Sequence, residues 1–394
     1  MSTPFDFPIT SRLGDDPADP VGDLFSVLSR GEIISFAGGI PDGALFEFNE
    51  IRASFDAVLS KQGRRALQYG STPGEPELRE AAAARVSRHL PTRPDQIIVT
   101  TGSQEGIFLA AQAMLSPGDT VLVEAPTYLA AVQAFMLNGA RMVGVATDDD
   151  GIIPDALEAA IAEHNPRFLY LIPTFQNPSG RTMPHSRREE VAEILVRTGL
   201  VLVEDDPYSP LRFEGEEVPP LTAYPGMSKQ SLLLNSMSKI MAPGVRTGWV
   251  RVEGTFSHVL GIAKSAVTLQ SSALNQLAVA HYLTHYDLDE HVQRVANKYR
   301  KRRDAMYSGL TAMLPETAKV TYPQGGMFCW VTLGDDTNTA ELLKVAVEEG
   351  VAFVPGWSFF AENPDHSSMR LSYVTNSVST INEGLRRLAS AMGL

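Results

Sequence analysis

Between residues 97 and 203 short apolar runs alternate with longer amphipathic stretches, and this rhythm constrains the fold of the 394-residue chain more than any other feature. The runs at 97–99, 121–123, 142–145, 168–172 and 200–203 have the length and continuous apolarity of strands buried on both faces. The stretches at 104–115, 129–137, 154–162 and 187–197 carry helical spacing. Repeated strand–helix units predict an α/β fold, with a mostly parallel sheet covered by helices on both faces. Ligands of such sheets bind at the carboxyl ends of the strands. Each turn after a predicted strand is therefore a place to look for chemistry.

The pattern changes along the rest of the chain. Two helical patterns occupy 49–89, a buried strand is expected at 231–234, and helices at 256–270 and 272–286. A long helix over 288–314 bridges to an α+β tail: strands at 320–322, 327–332, 351–354 and 369–374, helices at 339–349 and 381–391. Near the N-terminus, a short amphipathic segment at 23–28 precedes a short strand at 33–36, which enters the Gly38 and Gly39 pair. These shifts predict an N-terminal arm (1–45) joined to a small C-terminal domain (288–394), with a large domain (46–287) between them.

Composition narrows the partners. A formal charge of −13 excludes the basic footprint that nucleic acid or an anionic membrane needs. An anionic ligand must then be held by a few local cations. One cysteine, Cys329, excludes an internal disulfide, and no metal site is expected. No run approaches a membrane span and no secretory leader is evident, so the cytoplasm is the expected compartment.

Five turns carry chemistry-bearing residues. After 97–99 comes TTGSQEG, where Ser103 and Gln104 open a helix whose free N–H groups suit an anion, or simply cap it. After 121–123 comes EAPTYLA with Tyr128, a ring for stacking or for the core. After 168–172 comes PTFQNPSGRTMP, placing Asn177 just past a strand end. After 200–203 comes EDDPYSPLRF, in which Glu204, Asp205 and Asp206 compete as the acid at the site. After 231–234 comes NSMSKIMAPGVRTGW, gathering Ser236, Ser238, Lys239 and Arg246. Hydroxyls and arginine bind a phosphate dianion, and a deprotonated lysine is a nucleophile. Arg370, in MRLSYV, is an arginine on an otherwise apolar strand; its planar fork takes a substrate carboxylate or an acid of the small domain.

Taken together, these motifs resemble those of the fold-type I pyridoxal 5'-phosphate (PLP) aminotransferases, class I/II, specifically the 2-aminoadipate and kynurenine group. The resemblance runs along nearly the whole chain. It implies a sheet of the seven-stranded type and a PLP cofactor held as an imine on Lys239. It also implies a phosphate cradle of Ser103, Gln104, Ser236, Ser238 and Arg246, and a ring stacked on Tyr128. Asp205 would keep the ring nitrogen protonated, with Asn177 and Tyr208 on the phenolic oxygen. Lys239, Asp205 and Tyr208 are thus the catalytic set, while Glu204 would point away and Asp206 would be structural. Arg370, Asn177 and Gly39 would meet the substrate. Tyr69, in LQYGSTPGEPELRE, would reach the cofactor phosphate across a homodimer interface.

The reaction implied is transfer of an α-amino group from an L-amino acid to a 2-oxo acid by a ping-pong route. β-Elimination, decarboxylation and racemisation on the same cofactor stay open, as does an effector sensor of the kind found in some transcription regulators, for which the chain lacks a preceding winged-helix region. Aminoadipate-type members often place an arginine in the N-terminal helix against a distal carboxylate. Here Gly22 falls in that register, with Arg12 and Arg30 displaced, which weakens the case for dicarboxylic substrates. Trp357, Phe359 and Phe360 are candidates for an apolar pocket wall.

Overall fold

The computed structural model describes Thr10 and residues 33–334 and 336–394. Gly22, Arg12, Arg30 and the segment at 23–28 lie outside the described residues. In chain order the main elements are β1 (Ile34–Ser35), α1 (Phe48–Ala66), α2 (Pro76–Val86), β2 (Ile97–Thr100), α3 (Ser103–Met114), β3 (Thr120–Ala125), α4 (Leu129–Leu137), β4 (Arg141–Asp148), β5 (Gly151–Ile152), α5 (Pro154–His164), β6 (Phe168–Leu171), α6 (His185–Thr198), β7 (Val201–Asp206), β8 (Ser231–Ser236) and β9 (Gly248–Arg251). They continue with α7 (Phe256–Thr268), α8 (Ala273–His285), α9 (Leu288–Met313), β10 (Lys319–Val320), β11 (Phe328–Thr332), α10 (Thr339–Glu348), β12 (Val351–Ala352), β13 (Val354–Pro355), β14 (Ser368–Ser372) and α11 (Val378–Met392).

The large sheet has the order β2-β9-β8-β7-β6-β3-β4-β5. Its eighth member, β5, is a two-residue hairpin partner of β4, which leaves seven principal strands. Neighbours from β4 through β8 are parallel, whereas β9 runs against both β8 and β2. The carboxyl ends of β2, β3, β6, β7 and β8 therefore share one edge. Strand β9 was not anticipated, because Trp249 and Val250 follow a stretch of mixed polar, glycine, proline and apolar residues with no strand periodicity.

Burial explains the layering. β2 and β6 are buried at every residue, as strands covered on both faces must be. Helix α3 lies close on the sheet at Gly106, where an added Cβ would stand 3.0 Å from Val250 and 3.1 Å from Leu234. The 26-residue α9 is preceded by Asp287, whose side chain caps it by accepting from the Glu290 N–H, and buries Val292, Val295, Tyr299, Met306 and Leu310 along one face.

The tail forms a second, antiparallel sheet in the order β10-β11-β14-β13, with Trp330 of β11 opposite Arg370 of β14. The single strand expected at 351–354 is divided: β12 pairs with β1 and β13 with β14. One apolar run thus serves two sheets, which periodicity cannot reveal. The segment after β1 fastens these parts together, since the Ser372 N–H donates to the Phe36 carbonyl at 2.6 Å.

Leu234 is fully buried on β8 beneath α3. Truncating it to alanine should cost about 2–5 kcal/mol through lost transfer energy and an unfilled cavity. A fall of that size in the unfolding free energy extrapolated from urea titration is the check.

Candidate active site

The shared strand edge encloses a cavity of about 270 Å³. Its wall includes Gly39, Ser103, Gln104, Tyr128, Asn177, Asp205, Tyr208, Ser236, Ser238, Lys239, Arg246 and Arg370. The chain thus brings every polar candidate to one place except Tyr69, which is 78% exposed on the loop between α1 and α2 and does not line it; of the three rings expected in an apolar wall, Phe359 lines the cavity and Trp357 and Phe360 do not. A larger cleft of about 450 Å³ lies nearby, lined by Arg85, His89, Glu217 and Asp289 among others. Several of its charges pair with one another, Arg85 with Asp289 and His89 with Glu217, and it contains neither Lys239 nor Asp205.

Lys239 follows β8 and donates from Nζ to the Gly39 carbonyl at 2.8 Å. Burial, then the positive charges of Arg370 and Arg246, push its amine down from 10.5 to about 8, with Asp205 acting in the opposite sense. Asp205, near the end of β7, is 2% exposed and accepts from the Tyr170 hydroxyl at 2.9 Å through Oδ2. Burial, reinforced by the charge of Asp206, raises its carboxyl to about 7, while the bond from Tyr170 works against that rise. Strand alternation sorts the three neighbouring acids. Glu204 turns away and accepts from the N–H groups of Leu221 and Thr222, and Asp206 accepts from the Ser209 N–H and hydroxyl.

Arg370 stands 5% exposed between the rings of Phe328 and Phe359, at 4.3 and 4.9 Å. It donates to Asn177 Oδ1 at 2.9 Å and to the Ala37 carbonyl at 2.7 Å. Among the described residues no acid pairs with it, so the alternative of an ion pair inside the small domain does not hold. Burial lowers its guanidinium to about 10, which leaves it charged at neutral pH. Burial also raises the hydroxyl of Tyr128 to about 12 and that of Tyr208 further, keeping both protonated.

The opposite wall is the start of α3. Gly102, with φ of 99°, turns the chain into the helix, a conformation that favours glycine. Arg246, itself at φ 45°, donates from Nη2 to the Thr101 carbonyl at 2.5 Å. Ser236 Oγ accepts from the Ser238 N–H at 3.1 Å.

Partnerless atoms test whether these residues fit PLP. Asp205 Oδ1, Gln104 Oε1 and Arg370 Nε are buried without a hydrogen-bond partner among the described residues. An unpaired carboxylate oxygen fits a protonated ring nitrogen, and an unpaired guanidinium nitrogen fits a carboxylate. A helix N-terminus with two hydroxyls and an arginine fits a phosphate. The residues fit the cofactor. Among the described residues there is no His, Cys, Asp and Glu cluster suited to a metal.

Sequence reasoning missed Tyr170, whose hydroxyl fixes Asp205, and the apolar walls Ile40, Leu129 and Val354. The one available signal for Tyr170 was a hydroxyl inside a strand of otherwise apolar residues, FLYL.

Comparison with known proteins agrees with the geometry. The family model "Aminotransferase class I and II" matches residues 32–388. A 2-aminoadipate transaminase of Thermus thermophilus is 38% identical over 381 residues, covering 95% of this chain and 94% of that protein. Aromatic-amino-acid aminotransferase 1 of Thermococcus litoralis is also 38% identical, covering 95% and 91%. Among solved structures, LysN of Thermus thermophilus, an alpha-aminoadipate aminotransferase complexed with N-(5'-phosphopyridoxyl)-L-leucine, superposes with a TM-score of 0.91 at 36% identity, covering 98% of this chain and 97% of that one. The kynurenine aminotransferase of Pyrococcus horikoshii, in complex with PMP, gives 0.93 at 34% identity, covering 98% and 96%. The chain therefore belongs to the class I and II aminotransferases, enzymes that use pyridoxal phosphate to transfer amino groups.

Proposed function

We propose that Lys239, Asp205, Tyr208 and Arg370 carry this transfer, for an L-amino acid donor with an apolar side chain and a 2-oxo acid acceptor. The observation that supports it best is a buried amine, lowered to about 8, sharing one cavity with a buried carboxylate that keeps an unpaired oxygen. PLP supplies an aldehyde that condenses with amines and a ring that withdraws electrons from the bound carbon. Asp205, its carboxylate oriented by the Tyr170 hydroxyl, would keep a proton on the ring nitrogen. Asn177 and Tyr208 would hydrogen-bond the phenolic oxygen, Tyr128 would pack on the ring, and Ser103, Gln104, Ser236, Ser238 and Arg246 would hold the phosphate. Arg370 receives the substrate carboxylate, already oriented by Ala37 and Asn177. Lys239 Nζ, neutral when not bonded to the cofactor, would take the proton from the substrate Cα and deliver it to the carbon that was the cofactor's aldehyde, two atoms along. The same groups run the second half-reaction in reverse with the 2-oxo acid.

Ile40, Leu129, Val354 and Phe359 support the apolar side chain, because they are among the apolar residues that line the cavity. The exposed Tyr69 supports a homodimer in which each chain lends this tyrosine to its partner's cavity. The proposed division into an arm (1–45), a large domain (46–287) and a small domain (288–394) accompanies this reading, supported by the separate parallel and antiparallel sheets. Among the described residues no helix is long and apolar enough to cross a membrane. A cytoplasmic location is proposed with it, supported by a lone buried cysteine, Cys329.

Borohydride reduction of holoenzyme should leave a pyridoxyl adduct on Lys239, read by peptide mass spectrometry, and Lys239→Ala should lose both adduct and turnover. An adduct elsewhere would overturn the assignment. In a donor panel, kcat/KM for an aromatic or branched amino acid should exceed that for aspartate; the reverse order would sink the apolar-pocket reading. The lowered amine is mostly neutral above about pH 8 and mostly charged below it. The rate at which cofactor-stripped protein captures added PLP should therefore climb with pH through a midpoint near 8 and level off above it. Arg370→Met, by removing a nearby positive charge, should move that inflection upward.

A further inference from the structure

Beneath the proposed phosphate cradle lies a buried ion pair that the chemistry above leaves unused. Lys264 of α7 is fully buried, and its Nζ lies 2.8 Å from Ser271 Oγ and 3.4 Å from Glu105 Oε1. Glu105 sits in the first turn of α3, two residues past Ser103, with its side chain 6% exposed. Its Oε2 accepts from the Thr101 N–H at 2.6 Å and the Thr101 hydroxyl at 2.9 Å, and its Oε1 from the Thr268 hydroxyl at 2.8 Å. Arg246 holds the Thr101 carbonyl from the other side. Every polar group of Thr101 is thus tied, and Thr101 immediately precedes the glycine that turns into the helix.

An ion pair this deeply buried is a poor way to gain stability, since apolar residues of the same volume usually do as well or better. What they could not do is grip a backbone N–H. A carboxylate in this turn is also the wrong charge beside a phosphate dianion, with which it competes for the same helix end. Lys264 removes that conflict, leaving Glu105 able to fix the loop without opposing the ligand.

We propose that Glu105 and Lys264 are positioning residues for the cofactor phosphate: Glu105 fixes Thr101 so that the N–H groups at the start of α3 converge, and Lys264 cancels the charge Glu105 brings. The inference rests on the reading of Ser103, Gln104, Ser236, Ser238 and Arg246 as the cradle.

The test compares dissociation constants of PLP and of pyridoxal, which lacks the phosphate, for the cofactor-stripped full chain. Lys264→Met strands a buried carboxylate beside the cradle, and should raise the PLP constant about tenfold or more while leaving that of pyridoxal within about twofold. The double variant Glu105→Gln, Lys264→Met removes the stranded charge and should recover part of the loss. Thr101→Val disturbs no charge and guards against a misfolded Lys264 variant; it deletes one bond to Glu105 and should weaken PLP alone, by about threefold. Equal weakening of both ligands, no weakening of either, or no recovery in the double variant would overturn the proposal. Arg246→Ala separates the two layers. If it leaves the preference for PLP over pyridoxal intact, the cradle reading falls; if it lowers that preference and Lys264→Met and Thr101→Val do not, only the positioning pair falls.

Discussion

The structure is organised around charge held out of water at one edge of a parallel sheet. Lys239, Asp205 and Arg370 share a single cavity, and each has an ionisation shifted chiefly by burial. Desolvating a charge is costly unless partners replace the lost water. Among the described residues the partners are incomplete: Lys239 meets one backbone carbonyl, Asp205 keeps one bare oxygen, and Arg370 has no acid. A protein tolerates such a deficit where a ligand is to complete the set, which is why the unpaired atoms say more about function than the paired ones.

That cavity is assembled from parts that are remote in sequence. The parallel strands deliver Asn177, Asp205 and the Ser236 to Lys239 turn to one rim. The second sheet delivers Arg370, and the segment after β1 passes between them, accepting from Arg370 at Ala37 and from Lys239 at Gly39. The two rings flanking Arg370 add cation–π attraction without satisfying its hydrogen bonds, so the guanidinium is held in direction and left able to bind. Movement of the small sheet relative to the large one would carry Arg370 with it. The geometry that recognises a carboxylate is therefore coupled to how the two sheets sit together.

Much of this was legible beforehand because strand–helix repeats oblige the functional turns to follow the strands. TTGSQEG, EAPTYLA, PTFQNPSG, EDDPY and SMSK all fall where the repeat puts them, and the cavity collects a residue from each. Features that depend on long-range pairing were not legible. The run at 351–354 looks like one strand by hydropathy, yet its two halves pair with different neighbours. Tyr170 reads as an ordinary core residue until Asp205 is seen beside it on the adjoining strand. Glu105 and Lys264 are 159 residues apart, and nothing local marks either as buried.

The amino-acid sequence by itself determined the α/β class, the strand-end location of the chemistry and the residue types available there, because periodicity and turn composition act over a few residues. The choice among the three neighbouring acids came from the family resemblance and not from local pattern, and the tertiary structure alone decided that Arg370 has no acidic partner among the described residues and that Lys239 loses enough solvent for its amine to be half neutral near pH 8. Those outcomes depend on burial and on partners brought from distant segments. Desolvation and Coulomb energies are properties of position in space, and no local pattern encodes them.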